Sequence, residues 1–79
     1  MSHKVFIVDD DDFLLDMYSL KFKEEDFTVE TAKNGAEALD RIEEFSPDVV
    51  LVDLVMPNMD GFETIKQIRK KINNNAKIV

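Results

Sequence analysis

The chain has 79 residues, of which 44% are hydrophobic and 34% charged, and it contains no cysteine. This composition is typical of one small globular domain and excludes disulfides and thiolate metal sites. The formal net charge of −7 argues against nucleic acid as a partner, because nucleic-acid binding needs a basic surface. No apolar run approaches the roughly 20 residues that span a bilayer, and no signal-peptide pattern is present, so we expect no membrane association and a cytoplasmic location.

The first predicted element is a short strand at residues 5–8, because four consecutive apolar residues are typical of a strand buried on both faces of a parallel sheet. Four aspartates follow at positions 9–12. A helix is predicted from about residue 12 to residue 25, where apolar residues recur at helical spacing. They form one row of Phe13, Met17 and Leu20 and a second row of Leu14, Tyr18 and Phe22. Asp12 suits the N-cap or the first turn, where an anion is favoured.

The middle of the chain predicts an edge strand, a helix and a second buried strand. Residues 27–31 alternate between apolar and polar, which is typical of a half-exposed strand at the edge of a sheet. Asn34 and Gly35 indicate a turn, and the helix that follows ends before Pro47. The predicted buried face of this helix carries Ala36, Leu39, Ile42 and Phe45. Residues 49–52 are again all apolar and predict a strand, which Asp53 follows directly.

The last third of the chain predicts a long turn, a third helix and the start of a fourth strand. Pro57, Asp60 and Gly61 indicate the turn, and residues 76–79 the strand. The apolar face of the third helix carries Phe62, Ile65, Ile68 and Ile72. We expect four of the six phenylalanines to lie in the core, namely Phe13, Phe22, Phe45 and Phe62. This alternation of strands and helices predicts right-handed βαβ units, and therefore an α/β domain with a parallel sheet.

Two of the predicted buried strands end in carboxylates. Asp9 and Asp10 follow the first strand, and Asp53 follows the third. The carboxyl ends of parallel strands meet at one edge of the sheet, where open α/β sheets place their binding sites. Clustered carboxylates repel one another unless a cation or proton lies among them, and oxygen ligands are those that Mg²⁺ prefers. We therefore expect Asp10 and Asp53 to bind Mg²⁺ directly and Asp9 to act through a water, with a backbone carbonyl after Asp53 completing the set.

Asp53 is also the expected nucleophile. A carboxylate can accept a phosphoryl group and hold it as an acyl phosphate. This transfer depends mostly on positioning and on neutralising charge at the phosphoryl oxygens. A strand-terminal carboxylate beside Asp9 and Asp10 meets both demands.

The segments that carry this chemistry resemble a known family. They are Val8-Asp9-Asp10, residues 52–61 (VDLVMPNMDG), residues 31–39 (TAKNGAEAL) and Pro47-Asp48. On these segments the chain resembles the receiver domain of two-component response regulators. The resemblance implies a flavodoxin-like parallel sheet in the order 2-1-3-(4), with residues 1–79 as the N-terminal portion of such a domain.

The resemblance also implies roles for individual residues. Asp53 would accept a phosphoryl group from a histidine kinase or a phosphotransfer protein. Mg²⁺ would be bound by Asp10, Asp53 and the main-chain oxygen of Val55, with Asp9 assisting. The domain would be regulatory rather than an enzyme.

The chain departs from the family pattern in its extent. Receiver domains have five βα units, whereas this sequence supplies three and the start of a fourth strand. The family's Ser or Thr at the end of strand four would lie just past Val79, and its Lys at the end of strand five is missing. We expect Mg²⁺ binding to persist and phosphotransfer to be slow or absent. Asp26 stands where the family often has Gly.

A partial sheet would leave an exposed strand edge, and such an edge invites pairing with another chain. Two-fold dimers are the commonest outcome of such pairing. We therefore expect a homodimer through the exposed sheet edge, in the order 2-1-3-(4)-(4′)-3′-1′-2′.

Three other interpretations remain beside this one. A calcium-binding EF-hand loop is disfavoured because Met56 stands where its first Asp should be and Gln67 where its closing Glu should be. A haloacid-dehalogenase-type phosphatase would explain Asp9 and Asp11, but it leaves Asp53 unexplained. The alternative that stays open is a structural, dimerising half-domain of receiver ancestry that performs no phosphoryl chemistry.

Overall fold

The computed structural model describes residues 3–52, 55–56, 59–71 and 77–79, and it describes residues 55–56 and 59–62 by their backbone only. In chain order its elements are β1 (Lys4–Val8), α1 (Asp12–Glu24), β2 (Thr28–Ala32), α2 (Gly35–Phe45), β3 (Val49–Val52), β4 (Val55–Met56), β5 (Met59–Asp60), α3 (Gly61–Lys71) and β6 (Lys77–Ile78).

Four of these strands form one parallel sheet in the order β2-β1-β3-β6. The strand that follows the third helix takes the fourth place, so the predicted order 2-1-3-(4) is confirmed. Strand β2 lies at one edge, as its alternating sequence predicted. The start of a fourth strand is also confirmed, since Lys77 and Ile78 pair with Val49 and Val50 of β3.

Alternate residues of β1 pack into two separate hydrophobic cores, one on each face of the sheet. Phe6 and Val8 point towards α2 and α3, where Ile42 and Ile68 are fully buried. Val5 and Ile7 point to the other face; the buried residue that meets them there is Leu15 of α1. Burial of each large side chain stabilises the fold by about 1.5–3 kcal/mol. The prediction that this strand is buried on both faces is confirmed.

Helix α1 faces the sheet differently from the prediction. Its buried residue is Leu15, and Phe22 packs beside the same core. Phe13 is 73% exposed and Leu20 64% exposed. The prediction that Phe13 lies in the core is therefore wrong, because helical spacing defines rows of side chains but does not decide which row meets the sheet.

The ends of α1 are defined by side-chain and backbone caps. Asp11 is the N-cap, and its Oδ1 accepts hydrogen bonds from the backbone N–H groups of Phe13 (2.9 Å) and Leu14 (3.3 Å). Asp12 lies in the first turn, one of the two positions predicted for it. After the helix, Asp26 adopts a left-handed conformation with φ of 66°. This is the position where the family that the sequence resembles often has Gly, and an L-residue is less favourable there.

Helices α2 and α3 cover the other face of the sheet. The predicted turn residue Asn34 is the N-cap of α2, where its side chain accepts the N–H of Glu37 at 2.9 Å. The helix ends at Ser46 before Pro47, as predicted. In α3, Thr64 and Ile68 are fully buried.

The segment between β3 and α3 contains a short antiparallel pair. Strand β4 pairs with β5, with Val55 opposite Asp60 and Met56 opposite Met59, where the sequence indicated only a long turn. Helix α3 begins at Gly61, close to its predicted start. Pro57 and Ile72, which figured in the predictions for this region, lie outside the described residues.

Candidate functional site

The candidate site lies at the carboxyl edge of the sheet, where β1, β2 and β3 end side by side. Val8, the last residue of β1, is in register with Ala32 of β2 and with Val52 of β3. In the sequence, Asp9 follows the first of these residues and Lys33 the second. This register confirms the part of the prediction that placed the ends of the first and third strands next to each other.

Asp9 is held firmly at this edge. Its backbone N–H donates a hydrogen bond to the carbonyl oxygen of Ala32 at 3.1 Å, which fixes its main chain to β2. Its Oδ1 accepts the backbone N–H of Asp11 at 2.9 Å. The residue is only 6% exposed. A buried carboxylate destabilises the fold unless it is hydrogen-bonded or paired with a cation. Asp9 is such a buried polar residue, directly after the apolar strand β1.

The next three aspartates differ in what they contact. Asp10 is exposed, beside Asp9 at the strand end. Asp11 is engaged as the N-cap of α1. Asp12 forms an ion pair with Lys33, with 3.0 Å between Oδ1 and Nζ. Asp11 and Asp12 thus serve the local structure of α1 and its surroundings, and Asp9 and Asp10, the two nearest to the strand end, are the candidates for ligand binding.

Lys33 places a positive charge beside this acidic edge. The hydrogen bond and the charge of Asp12 raise the pKa of Lys33 above its ordinary value of 10.5, so the side chain is a cation at neutral pH. Because the pKa in the folded protein is raised, any stabilisation from the pair is present at neutral pH and is lost as the pH rises through the raised value. The pair is exposed and its contribution is correspondingly small.

The other predicted site residues are described less fully or not at all. Asp53, the predicted phosphoacceptor and metal ligand, lies outside the described residues. Val55, whose main-chain oxygen was the further predicted ligand, is described only as backbone of β4. Within the described part of the chain, no three His, Cys, Asp or Glu residues form a group that could hold a metal. Asp9 and Asp10 have the carboxylate chemistry that suits Mg²⁺, and they supply part of a ligand set.

A cavity of about 390 Å³ opens beside Asp9, between α1 and the sheet. Its lining is mostly apolar and consists of Ile7, Val8, Asp9, Leu14, Tyr18, Leu51, Val52 and Val79. The sequence did not predict this cavity. The available signal was the second apolar row of α1, because Leu14 and Tyr18 belong to that row and line the space.

Comparison with known proteins identifies the family. The model of the response regulator receiver domain family matches residues 5–79, nearly the whole chain. The chain belongs to the response regulator receiver domain family. This match confirms the resemblance found in the sequence, together with the two-component and flavodoxin-like assignments. It argues against the EF-hand and phosphatase interpretations. Receiver domains are regulatory phosphoacceptors and are generally not classed as enzymes.

Solved structures support the same assignment. The chemotaxis response regulator CheY4 of Vibrio cholerae is 38% identical, with a TM-score of 0.82, and the match covers 87% of this chain and 57% of that one. The response regulator TrrA from Thermotoga maritima, solved in complex with Mg²⁺-BeF, is 35% identical with a TM-score of 0.84, over 99% of this chain and 66% of that one. A receiver domain protein from Methanospirillum hungatei is 29% identical with a TM-score of 0.90, over 99% and 62%.

The chain spans only 57% to 66% of the length of these three solved structures. Over the residues that the structure describes, no helix is both long and apolar enough to cross a membrane.

Proposed function

We propose that this chain is a two-component receiver that accepts a phosphoryl group on Asp53 from a histidine kinase or a phosphotransfer protein, in the presence of Mg²⁺. Asp10, Asp53 and the main-chain oxygen of Val55 are the proposed direct ligands, and Asp9 assists. The observation that carries the proposal is the register of Val8 with Val52, which sets the ends of β1 and β3 side by side. Asp9 is buried at that edge, and Asp53 is the next residue after Val52 in the sequence.

Two solved structures of one relative, TrrA, support the partner and the ion. TrrA has been solved in complex with Mg²⁺-BeF. The histidine kinase ThkA has been solved in complex with TrrA, and that TrrA matches this chain at 35% identity over 99% of its residues. By this analogy the present chain takes its phosphoryl group from a kinase of the same class.

The proposed chemistry assigns a distinct task to each residue. A carboxylate oxygen of Asp53 forms a bond to phosphorus while the bond between phosphorus and the donor nitrogen breaks, which leaves an acyl phosphate and returns the electron pair to the donor imidazole. Mg²⁺, when bound, neutralises charge on the phosphoryl oxygens. Asp9 and Asp10 hold negative charge at the strand end and so favour a cation there. The hydrogen bond from Asp11 N–H keeps the Asp9 carboxylate in place before any ligand arrives.

Labelling with a phosphorylated small molecule, such as acetyl phosphate, tests the assignment of Asp53. We expect Mg²⁺-dependent labelling of the native chain and none of Asp53→Asn, because an amide oxygen is a far weaker nucleophile. Asp48→Asn is the matched control, since it makes the same chemical change at the amino end of β3, where Asp48 accepts the N–H of Lys4 at 2.8 Å. Equal labelling of Asp53→Asn and the native chain would remove Asp53 from the proposal.

We further propose that residues 1–79 by themselves are labelled more slowly than a full-length receiver, because they span only 57% to 66% of the length of the three solved structures compared above. The measurement is the labelling rate of this chain beside that of a full-length relative. Equal rates would show that the present residues suffice.

The second candidate function is a dimerising half-domain that performs no phosphoryl chemistry. The feature behind it is that β6 pairs with β3 alone among the described strands. In this case two copies pair through that edge and continue the sheet. Sedimentation at micromolar concentration should then give the mass of a dimer, and a purely monomeric mass would exclude it.

A further inference from the structure

The two edges of the sheet differ in how their outward-facing backbone groups are satisfied. Along β2, the N–H of Thr28 donates to the carbonyl of His3, and the carbonyl of Ala32 accepts the N–H of Asp9. Backbone groups alternate in direction along a strand, so Thr28, Glu30 and Ala32 face β1. The N–H and C=O groups of Val29 and Thr31 therefore face away from the sheet, where a further strand could pair with them.

Both outward groups of Thr31 already have side-chain partners. Its N–H donates to Oε1 of Glu30 at 3.3 Å, and its carbonyl oxygen accepts Nη1 of Arg41 at 3.1 Å. The same two side chains form an ion pair, with 3.5 Å between Nη1 and Oε1. One acidic and one basic side chain thus occupy the donor and the acceptor that an incoming strand would need.

We propose that the Glu30–Arg41 pair closes the β2 edge against strand pairing with a second copy of this chain. An incoming strand would have to displace both side chains from Thr31 and then accommodate their charges beside its own backbone. In a two-fold pairing of β2 with its copy, both pairs would be displaced at once. Charged side chains at sheet edges are a known protection against edge-to-edge association.

The opposite edge has no such cover in the described part of the chain. The N–H groups of Lys77 and Val79 donate to the carbonyls of Asp48 and Val50 in β3, so the backbone groups of Ile78 face outward. Among the described residues, no side chain bonds to these groups of Ile78.

Cross-linking through a single introduced cysteine tests the proposal, and the cysteine-free chain makes the result specific. Thr28→Cys places a thiol on β2, and a bismaleimide with a flexible spacer joins two such strands in either register. The cross-linked fraction is measured in the Thr28→Cys chain and in the same chain carrying Glu30→Ala and Arg41→Ala. The matched control carries Glu44→Ala and Lys70→Ala, which remove one acid and one base from exposed positions away from β2.

We expect the cross-linked dimer fraction to rise by about fivefold or more in the Glu30→Ala/Arg41→Ala chain, because the side-chain hydrogen bonds that occupy both outward backbone groups of Thr31 are then absent. The control chain should match the parent. An equal fraction in all three chains, or efficient cross-linking of the parent chain, would overturn the proposal.

Amide hydrogen exchange of the unaltered chain gives a second test that does not depend on the variants folding. Val29 and Thr31 both point their N–H groups outward, but only that of Thr31 meets the Glu30 carboxylate. We expect the Thr31 amide to exchange about fivefold more slowly than that of Val29 after correction for intrinsic rates. Exchange of Thr31 as fast as that of Val29 would show that the closure does not form.

Discussion

The carboxylates at the amino end of the sheet and those at its carboxyl end differ in their role. At the amino end of β3, Asp48 is engaged by the chain itself, since its Oδ2 accepts the N–H of Lys4 at 2.8 Å. The Lys4 side chain also has partners, because its Nζ donates to the carbonyl oxygen of Phe45 at 3.1 Å and lies 5.4 Å from the centre of the Phe45 ring. The charged residues Lys4 and Asp48 therefore attach the connection between α2 and β3 to β1, which is a structural role.

At the carboxyl end of the sheet, four consecutive aspartates follow β1. Asp11 and Asp12 have local partners, and Asp9 is buried with its Oδ1 bonded to the N–H of Asp11, beside the exposed Asp10. Like charges that lie close together repel one another, and an added cation relieves that repulsion. Asp48 at the amino end holds the fold, whereas we propose that Asp9 and Asp10 at the carboxyl end bind a cation.

The largest effect is expected when the carboxyl end is neutralised. Asp9→Asn combined with Asp10→Asn should weaken Mg²⁺ binding by more than about tenfold, or about 1.4 kcal/mol, because an amide is a poorer ligand for a hard cation than a carboxylate. The affinity is measured by calorimetric titration. Asp48→Asn serves as the control at the other end and should leave the affinity unchanged. Unaltered affinity in the double variant would contradict the assignment of these residues.

The converse effect is expected at the amino end. Asp48→Ala should lower the free energy of unfolding by about 1 kcal/mol, because it leaves the N–H of Lys4 without its acceptor. The measurement is urea unfolding, with Mg²⁺ affinity followed in parallel. If Asp48→Ala changed Mg²⁺ affinity but not stability, the two ends would not have the separate roles described above.

The smallest expected effect is a gain in stability away from both ends. Asp26→Gly should raise the free energy of unfolding by about 0.5–1 kcal/mol, because Asp26 has a φ of 66° and glycine adopts that conformation without steric cost. Asp40→Gly, inside helix α2, is the opposite control and should lower stability by about 0.3 kcal/mol, because Gly has a lower helix propensity than Asp. A loss of stability in Asp26→Gly would mean that its side chain contributes more than its backbone costs.

The sequence predicted most where a run of apolar residues is followed directly by an aspartate. The four apolar residues of β1 and of β3, each followed by aspartate, were enough to predict adjacent parallel strands and the edge where Asp9 lies. They could not predict which aspartate caps α1, because Asp11 and Asp12 both suit that position and a shift of one residue decides between them.

The main error concerns the face of α1 that meets the sheet. Leu15, which belongs to neither predicted apolar row, is buried against the sheet, whereas Phe13 of the first row is exposed. The partners of Glu30 and Arg41 were equally beyond prediction, since they lie 11 positions apart in the sequence and meet only when α2 packs beside β2. Tertiary placement, not local pattern, decides such contacts.

Replacing Mg²⁺ by paramagnetic Mn²⁺ tests the central claim most directly, because Mn²⁺ broadens the NMR signals of nuclei close to the bound ion. At low stoichiometry we expect the amide signals of Asp9, Asp10, Asp53 and Val55 to disappear first, while those of Lys4 and Asp48 remain sharp. Excess Mg²⁺ should restore the lost signals. Broadening spread evenly over the aspartates, or centred on Asp48, would contradict the claim that the carboxyl edge of the sheet is the cation and phosphoacceptor site.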